Sequence, residues 1–175
     1  TNTSTIPLDE INSVLKNPER LVGIHFFNPV AKMQLVEVVY SRSTDTAIID
    51  QAMSFVRKLD RLPLPVKSRP GFLVNRILMP YLLESVRLWE DGESAATIDA
   101  AMVNFGMPMG PIALADLIGL DVCLSAADHL ATYINYSVPA VLVRLVEEGK
   151  SGRKSGEGFY KYVKGKAVIP KPTHT

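Results

Sequence analysis

The chain has 175 residues, 47% hydrophobic and 21% charged, with a formal net charge of +1. That balance suits one soluble domain or one and a half with a proper core, and it gives no electrostatic reason for nucleic acid or an anionic membrane as partner. The longest weakly interrupted apolar stretch, Gly110 to Leu120, is far short of a membrane span.

The first third alternates helix and strand. Pro7-Leu8-Asp9-Glu10 opens a helix, because Pro suits the first helical position and acids the first turn. It turns Leu8, Ile11 and Leu15 to one side and stops near Pro18. Leu21 to Phe27 and Leu35 to Tyr40 read as strands, joined by the turn Asn28-Pro29-Val30-Ala31-Lys32. Thr44 or Asp45 caps a helix to about Leu59, and Leu62 to Val66 is extended. Such alternation suggests the end of an α/β sheet.

After Arg69-Pro70-Gly71 the period changes. Val74, Ile77, Leu78, Tyr81, Leu82, Ser85, Leu88 and Trp89 recur at helical spacing. Further helices follow: Thr97 to Phe105, Ile112 to about Ile118, Asp121 to about Tyr136, and Pro139 to Glu148. A Gly-rich loop from Ser151 to Gly158 precedes Phe159-Tyr160. The boundary falls at residue 68, before a helical part large enough to fold alone. Its first helix is apolar on more than one face, which points to a homodimer interface.

His25 stands in Gly23-Ile24-His25-Phe26-Phe27-Asn28-Pro29, a polar ring among apolar neighbours. Glu37 is the one charge in Leu35-Val36-Glu37-Val38-Val39. A buried carboxylate needs a partner to offset its lost hydration. If the two strands are neighbours, the imidazole is that partner, and the acid fixes its tautomer. On residues alone the pair reads equally well as catalytic or structural. Asn75 is a polar side chain near the start of an apolar helix, where a local hydrogen bond explains it as well as a ligand does.

Other chemistries have little support. His25, His129 and His174 show no metal-ligand spacing, and no G-x-S-x-G elbow exists. Gly156-Glu157-Gly158 lacks the strand-before, helix-after context of a dinucleotide fingerprint. Arg153, Lys154, Lys161, Lys164 and Lys166 read as a solvated basic face. The single Cys123 excludes an internal disulfide and reads as a small buried hydrophobe. No charged leader precedes an apolar run, and the polar, Met-less start reads as a cut from something longer.

Several segments, in order, form a larger pattern: Thr1-Asn2-Thr3-Ser4, His25-Phe26-Phe27-Asn28-Pro29, Leu35-Val36-Glu37-Val38-Val39, and Pro70-Gly71-Phe72-Leu73-Val74-Asn75-Arg76. Gly110-Pro111-Ile112-Ala113-Leu114-Ala115-Asp116, Gly119-Leu120-Asp121 and Gly158-Phe159-Tyr160 continue it. Together they resemble the L-3-hydroxyacyl-CoA dehydrogenase family, in wording closer to the multifunctional fatty-acid β-oxidation proteins. The resemblance implies an α/β fragment plus an all-α part. Residues 1–68 would be the C-terminal portion of a Rossmann-like NAD-binding domain, and residues 69–175 the helical domain that dimerises. It implies oxidation of the 3-hydroxyl of an acyl-CoA substrate, with hydride passing to NAD. His25 matches the catalytic histidine and Glu37 its carboxylate partner. Ser4 and Asn75 match positions that bond the substrate's 3-oxygen or support the histidine, and Asn2 and Asn28 match asparagines at the nicotinamide end of the cleft. The family's glycine-rich phosphate turn is not among these residues, so the chain alone is expected to be inactive.

Two rivals follow. One is a non-catalytic module for dimerisation and acyl-CoA contact within a multifunctional protein. The other is a hydroxyacid or phosphogluconate dehydrogenase, whose lysine has no counterpart at Asn75. A reducing interior compartment is expected, whether bacterial cytoplasm, mitochondrion or peroxisome.

Overall fold

The structure, a computed structural model, describes residues 1–2, 7–133 and 136–168. It divides into two compact units, Thr1–Arg76 and Ile77–Thr175.

The first unit is built on a three-stranded sheet ordered β1-β2-β3, from β1 (Gly23–Phe26), β2 (Leu35–Tyr40) and β3 (Leu62–Lys67). β1 runs antiparallel to β2, and β3 runs parallel to it after a crossover through helix α2 (Thr46–Lys58). Alternation along β2 sorts its side chains. Val36 and Val38 pack with Ala52 and Val56 of α2. On the opposite face lie Glu37 and Val39, and Val39 packs with Leu8, Val66 and Phe72. Both faces of β2 are therefore covered, and a charge on it has no water to face.

β3 tolerates Pro63 and Pro65 because of its ladder register. Leu62 and Ser68 donate to Gln34 and Tyr40 on the β2 side, so the odd positions turn outward, where proline forfeits no ladder bond. The segment Thr1-Asn2 lies against the outer side of β1, where Thr1 accepts the Ile24 N–H at 2.7 Å.

Helix α1 (Leu8–Asn12) is shorter than its apolar spacing predicts, and Leu15 is exposed. Ser13 Oγ donates to the Glu10 carbonyl at 2.6 Å, and Asn12 Nδ2 donates to Ser41 and Ser43 hydroxyls. Such side-chain bonds compete with continued helix.

The second unit holds the rest of α3 (Val74–Glu90), then α4 (Ala95–Phe105), α5 (Pro111–Ile118), α6 (Leu120–Ala131), α7 (Ala140–Glu147) and a hairpin of β4 (Lys161–Val163) with β5 (Lys166–Val168). Its core joins Met79, Leu82, Val86, Ile112, Leu120, Cys123 and Leu142 among others. α4 is capped by Ser94 rather than by Thr97, whose N–H donates to the Ser94 hydroxyl at 3.0 Å. α6 starts one residue before Asp121 and ends at Ala131, where Thr132 Oγ1 donates to the His129 carbonyl at 2.9 Å.

Two carboxylates, the half-buried Asp99 and the buried Asp116, hold the loops of this unit. Asp99 accepts the N–H groups of Ile112 and Ala113 at the start of α5 and the Tyr160 hydroxyl. Asp116 accepts the N–H groups of Phe159 and Tyr160 and the Tyr162 hydroxyl. Each is approached by a glycine, Gly110 and Gly158 respectively, where a Cβ would collide with the carboxylate. No helix among the described residues is long and apolar enough to cross a membrane.

Candidate active site

His25 and Glu37 are directly opposed partners in the β1–β2 ladder, so their side chains rise from the same face of the sheet within bonding reach. His25 Nδ1 lies 2.8 Å from Glu37 Oε2. The Glu37 side chain is fully buried, and 12% of the His25 side chain reaches solvent. A carboxylate can only accept, so Nδ1 carries the proton in this bond and Nε2 is left as the imidazole's bare nitrogen.

The other oxygen of Glu37 is also engaged. Oε1 accepts the N–H groups of Leu73 at 3.0 Å and Val74 at 2.9 Å. These belong to the opening turn of α3, where N–H groups lack intrahelical partners and the helix dipole favours a negative charge. The sequence delivers them through a tight turn. Phe72 N–H donates to the Arg69 carbonyl at 2.8 Å, with Pro70 second in the turn and Gly71 third at φ +71°. A third turn residue at positive φ is where glycine belongs. The buried acid thus has three N–H donors, which is how its lost hydration is offset.

Two aromatic rings bracket the imidazole. Phe27 meets it with centroids 4.9 Å apart at 76°, and Phe72 at 5.3 Å and 73°. Both are edge-on contacts of the kind aromatic quadrupoles favour.

The remaining candidates gather less tightly. Asn75 follows Val74 in the first turn of α3 and is half-buried, but its side chain makes no hydrogen bond among the described residues. Asn2 is exposed, and its Oδ1 accepts the Phe26 N–H at 3.1 Å, one residue beyond His25. Asn28 is exposed at the end of the same strand. Ser4 lies outside the described residues. No group of His, Cys, Asp and Glu able to hold a metal occurs among the described residues.

Comparison with known proteins adds the family. The model of the 3-hydroxyacyl-CoA dehydrogenase NAD binding domain matches residues 1–69, and that of the C-terminal domain of the same enzymes matches residues 71–162, more than half of the chain. The chain belongs to the 3-hydroxyacyl-CoA dehydrogenase family. It is 44% identical over 168 residues to a probable 3-hydroxyacyl-CoA dehydrogenase of Caenorhabditis elegans, covering 93% of this chain and 54% of that protein. It is 39% identical over 177 residues to the fatty acid oxidation complex subunit alpha of Idiomarina loihiensis, covering 100% of this chain and 25% of that one. The chain therefore spans between a quarter and about half the length of these relatives. Among solved structures, 3-hydroxybutyryl-CoA dehydrogenase of Escherichia coli superposes with a TM-score of 0.89 at 37% identity, covering 100% of this chain and 39% of that one. FadB2 of M. tuberculosis gives 0.87 at 39% identity, covering 93% and 59%. The fold is accordingly that of a Rossmann-like NAD-binding domain joined to a helical C-terminal domain.

In this dehydrogenase family member, sequence reasoning finds the His25–Glu37 pair but misses what else holds Glu37. The available signal was Pro70-Gly71 three residues before a helical pattern, since a turn into a helix presents unpaired N–H groups. Phe72, too, looks like ordinary core until its ring is seen against His25.

Polar amides with free bonding capacity lie near the strand that carries His25, a donor set compatible with the reacting end of a dinucleotide. Asn2 is an exposed amide that holds the Phe26 N–H, Asn28 is exposed two residues beyond the end of β1, and the Asn2 amide nitrogen bonds no described residue. Among the described residues, no strand leads through a glycine-rich turn into a helix, as a pyrophosphate site requires.

Proposed function

We propose that these residues form the catalytic portion of an NAD-dependent 3-hydroxyacyl-CoA dehydrogenase that oxidises L-3-hydroxyacyl-CoA to 3-oxoacyl-CoA in fatty-acid β-oxidation. The observation that carries the reading is the 2.8 Å bond between His25 Nδ1 and a fully buried carboxylate, which leaves Nε2 as the base of a side chain that still reaches solvent.

The chemistry follows from that geometry. The substrate hydroxyl gives its proton to His25 Nε2, and the bond electrons close the 3-carbonyl as hydride leaves carbon 3. Bound NAD would supply the acceptor for that hydride. Glu37 stabilises the imidazolium so formed, and in the reverse direction Nε2 returns the proton. Asn75 and Ser4 hold the substrate oxygen, and Asn2 and Asn28 border the nicotinamide. Residues 1–68 serve as the C-terminal portion of the NAD-binding domain and residues 69–175 as the helical domain. That helical domain pairs with a second copy, as apolar side chains such as Ile77, Leu88 and Phe105, exposed by 65%, 45% and 82%, suggest.

The test is His25→Gln in the complete enzyme that carries these residues. Turnover of an L-3-hydroxyacyl-CoA should fall about 10²- to 10⁴-fold, the usual worth of a positioned base, while NAD affinity stays near that of the unmodified enzyme. Normal turnover would end the case for the base.

A further inference from the structure

Phe72 occupies a backbone position that a phenylalanine should avoid. Its φ is +47°, in the left-handed region, directly after Gly71 at +71°. A side chain with a Cβ is disfavoured there, and such residues persist only where the surroundings hold them. The surroundings do hold it. The residue is 5% exposed and packs with Leu8, Val39 and Val66.

The same ring meets the imidazole of His25 edge-on, at 5.3 Å and 73°. The Glu37 bond fixes one atom of that imidazole. One hydrogen bond constrains a point and leaves the tilt of the ring plane open. The Phe72 ring, set nearly at right angles to it, and Phe27 at 4.9 Å remove that freedom. The left-handed turn at Phe72 also sets the direction of the next two N–H groups, those of Leu73 and Val74, which end on Glu37 Oε1. One residue therefore borders the imidazole with its side chain and aims its backbone neighbours at the imidazole's acid.

We infer that Phe72 is a positioning residue, whose ring fixes the plane of the His25 imidazole so that Nε2 points at the reacting hydroxyl. It rests on the reading of His25 as the base. A filler of the apolar cluster could be leucine. A residue that orients a ring needs a flat edge. Displacement of a reacting group by about 1 Å can cost on the order of 100-fold in rate, so the loss should appear in kcat and spare binding.

The experiment compares Phe72→Leu, Phe72→Tyr and His25→Gln in the complete enzyme, measuring kcat, KM for acyl-CoA and for NAD, and the thermal midpoint. The inference predicts that Phe72→Leu loses about 10- to 100-fold in kcat with both KM values little changed, and that Phe72→Tyr, which keeps the ring edge, recovers most of the loss at a comparable thermal midpoint. Unchanged kcat in Phe72→Leu, with His25→Gln inactive, overturns the inference. So does an equal fall of kcat and midpoint in Leu and Tyr variants, which marks simple packing. If Phe72→Leu does not accumulate folded, Phe72→Met carries the same comparison. An active His25→Gln enzyme defeats the underlying assignment of the base instead.

Discussion

The three donors on Glu37 decide what a glutamine could do in its place. The glutamine oxygen can meet either the two N–H groups of Leu73 and Val74 or the single Nδ1–H of His25. Facing the imidazole with its oxygen would set the amide NH2 against two backbone donors. The other orientation opposes only one, and that one can yield by changing tautomer. Glu37→Gln should therefore settle with NH2 toward Nδ1, and His25 should shift its proton to Nε2 and lose its base. We expect kcat to fall about 10²- to 10⁴-fold, as when a triad acid becomes an amide and the wrong tautomer follows, with a nearly unchanged unfolding midpoint. Glu37→Ala differs, because it leaves the Leu73 and Val74 N–H groups, which meet a fully buried carboxylate, without their acceptor. It should also destabilise the fold by about 1–3 kcal/mol, read by urea denaturation. Elsewhere, burial pushes the Cys123 thiol up to about 12, and only 3% of the residue is exposed. Thiolate is the reactive form, so the native protein should resist alkylation by iodoacetamide that the unfolded chain takes up readily.

At the scale of elements, carboxylates close the gaps between helices and loops. Asp116 ties the Phe159-Tyr160 segment to α5, and its burial raises the carboxyl above the usual 3.8, against the lowering effect of its hydrogen bonds. In the pH range between 3.8 and that raised value the folded state holds more protons than the unfolded one. The stability from this group is full below the unfolded value and is lost as pH rises through the folded one. Urea midpoints measured upward from about pH 4 should show this loss in the unmodified protein and lack it in Asp116→Asn. That variant should also be less stable overall by about 1–3 kcal/mol, since one amide cannot accept at both positions. Helix extents were legible where periodicity ran long, as in α3, whose start at Val74 follows from its apolar spacing. Caps and short helices were less legible. Ser94 and Thr97 are both good cap residues, and α1 ended early because Ser13 bonded back to the Glu10 carbonyl while Asn12 found serines distant in sequence.

For the molecule as a whole, the α/β-then-helical order was readable from the change of period near residue 70. The strand pairing was not, because register depends on contacts between segments rather than on either segment. His25 and Glu37 could be named from sequence as isolated polar residues in apolar runs. That they face each other, and that the α3 opening turn completes the acid's shell, required the sheet. Asn75, Asn2 and Asn28 carried no comparable local signal, and their assignment to the site rests only on the family's wording. The exposed apolar side chains of the helical part lead to a further expectation: residues 69–175 should sediment as a dimer at micromolar concentration, and a monomer would count against pairing through this part.

The proposed chemistry needs one imidazole nitrogen, Nε2 of His25, to be bare. Nitrogen NMR of the His25 side chain in the complete enzyme, at a pH where the ring is neutral, reads this directly. The carboxylate bond predicts a proton on Nδ1 and a bare Nε2; a neutral ring protonated on Nε2 would contradict it.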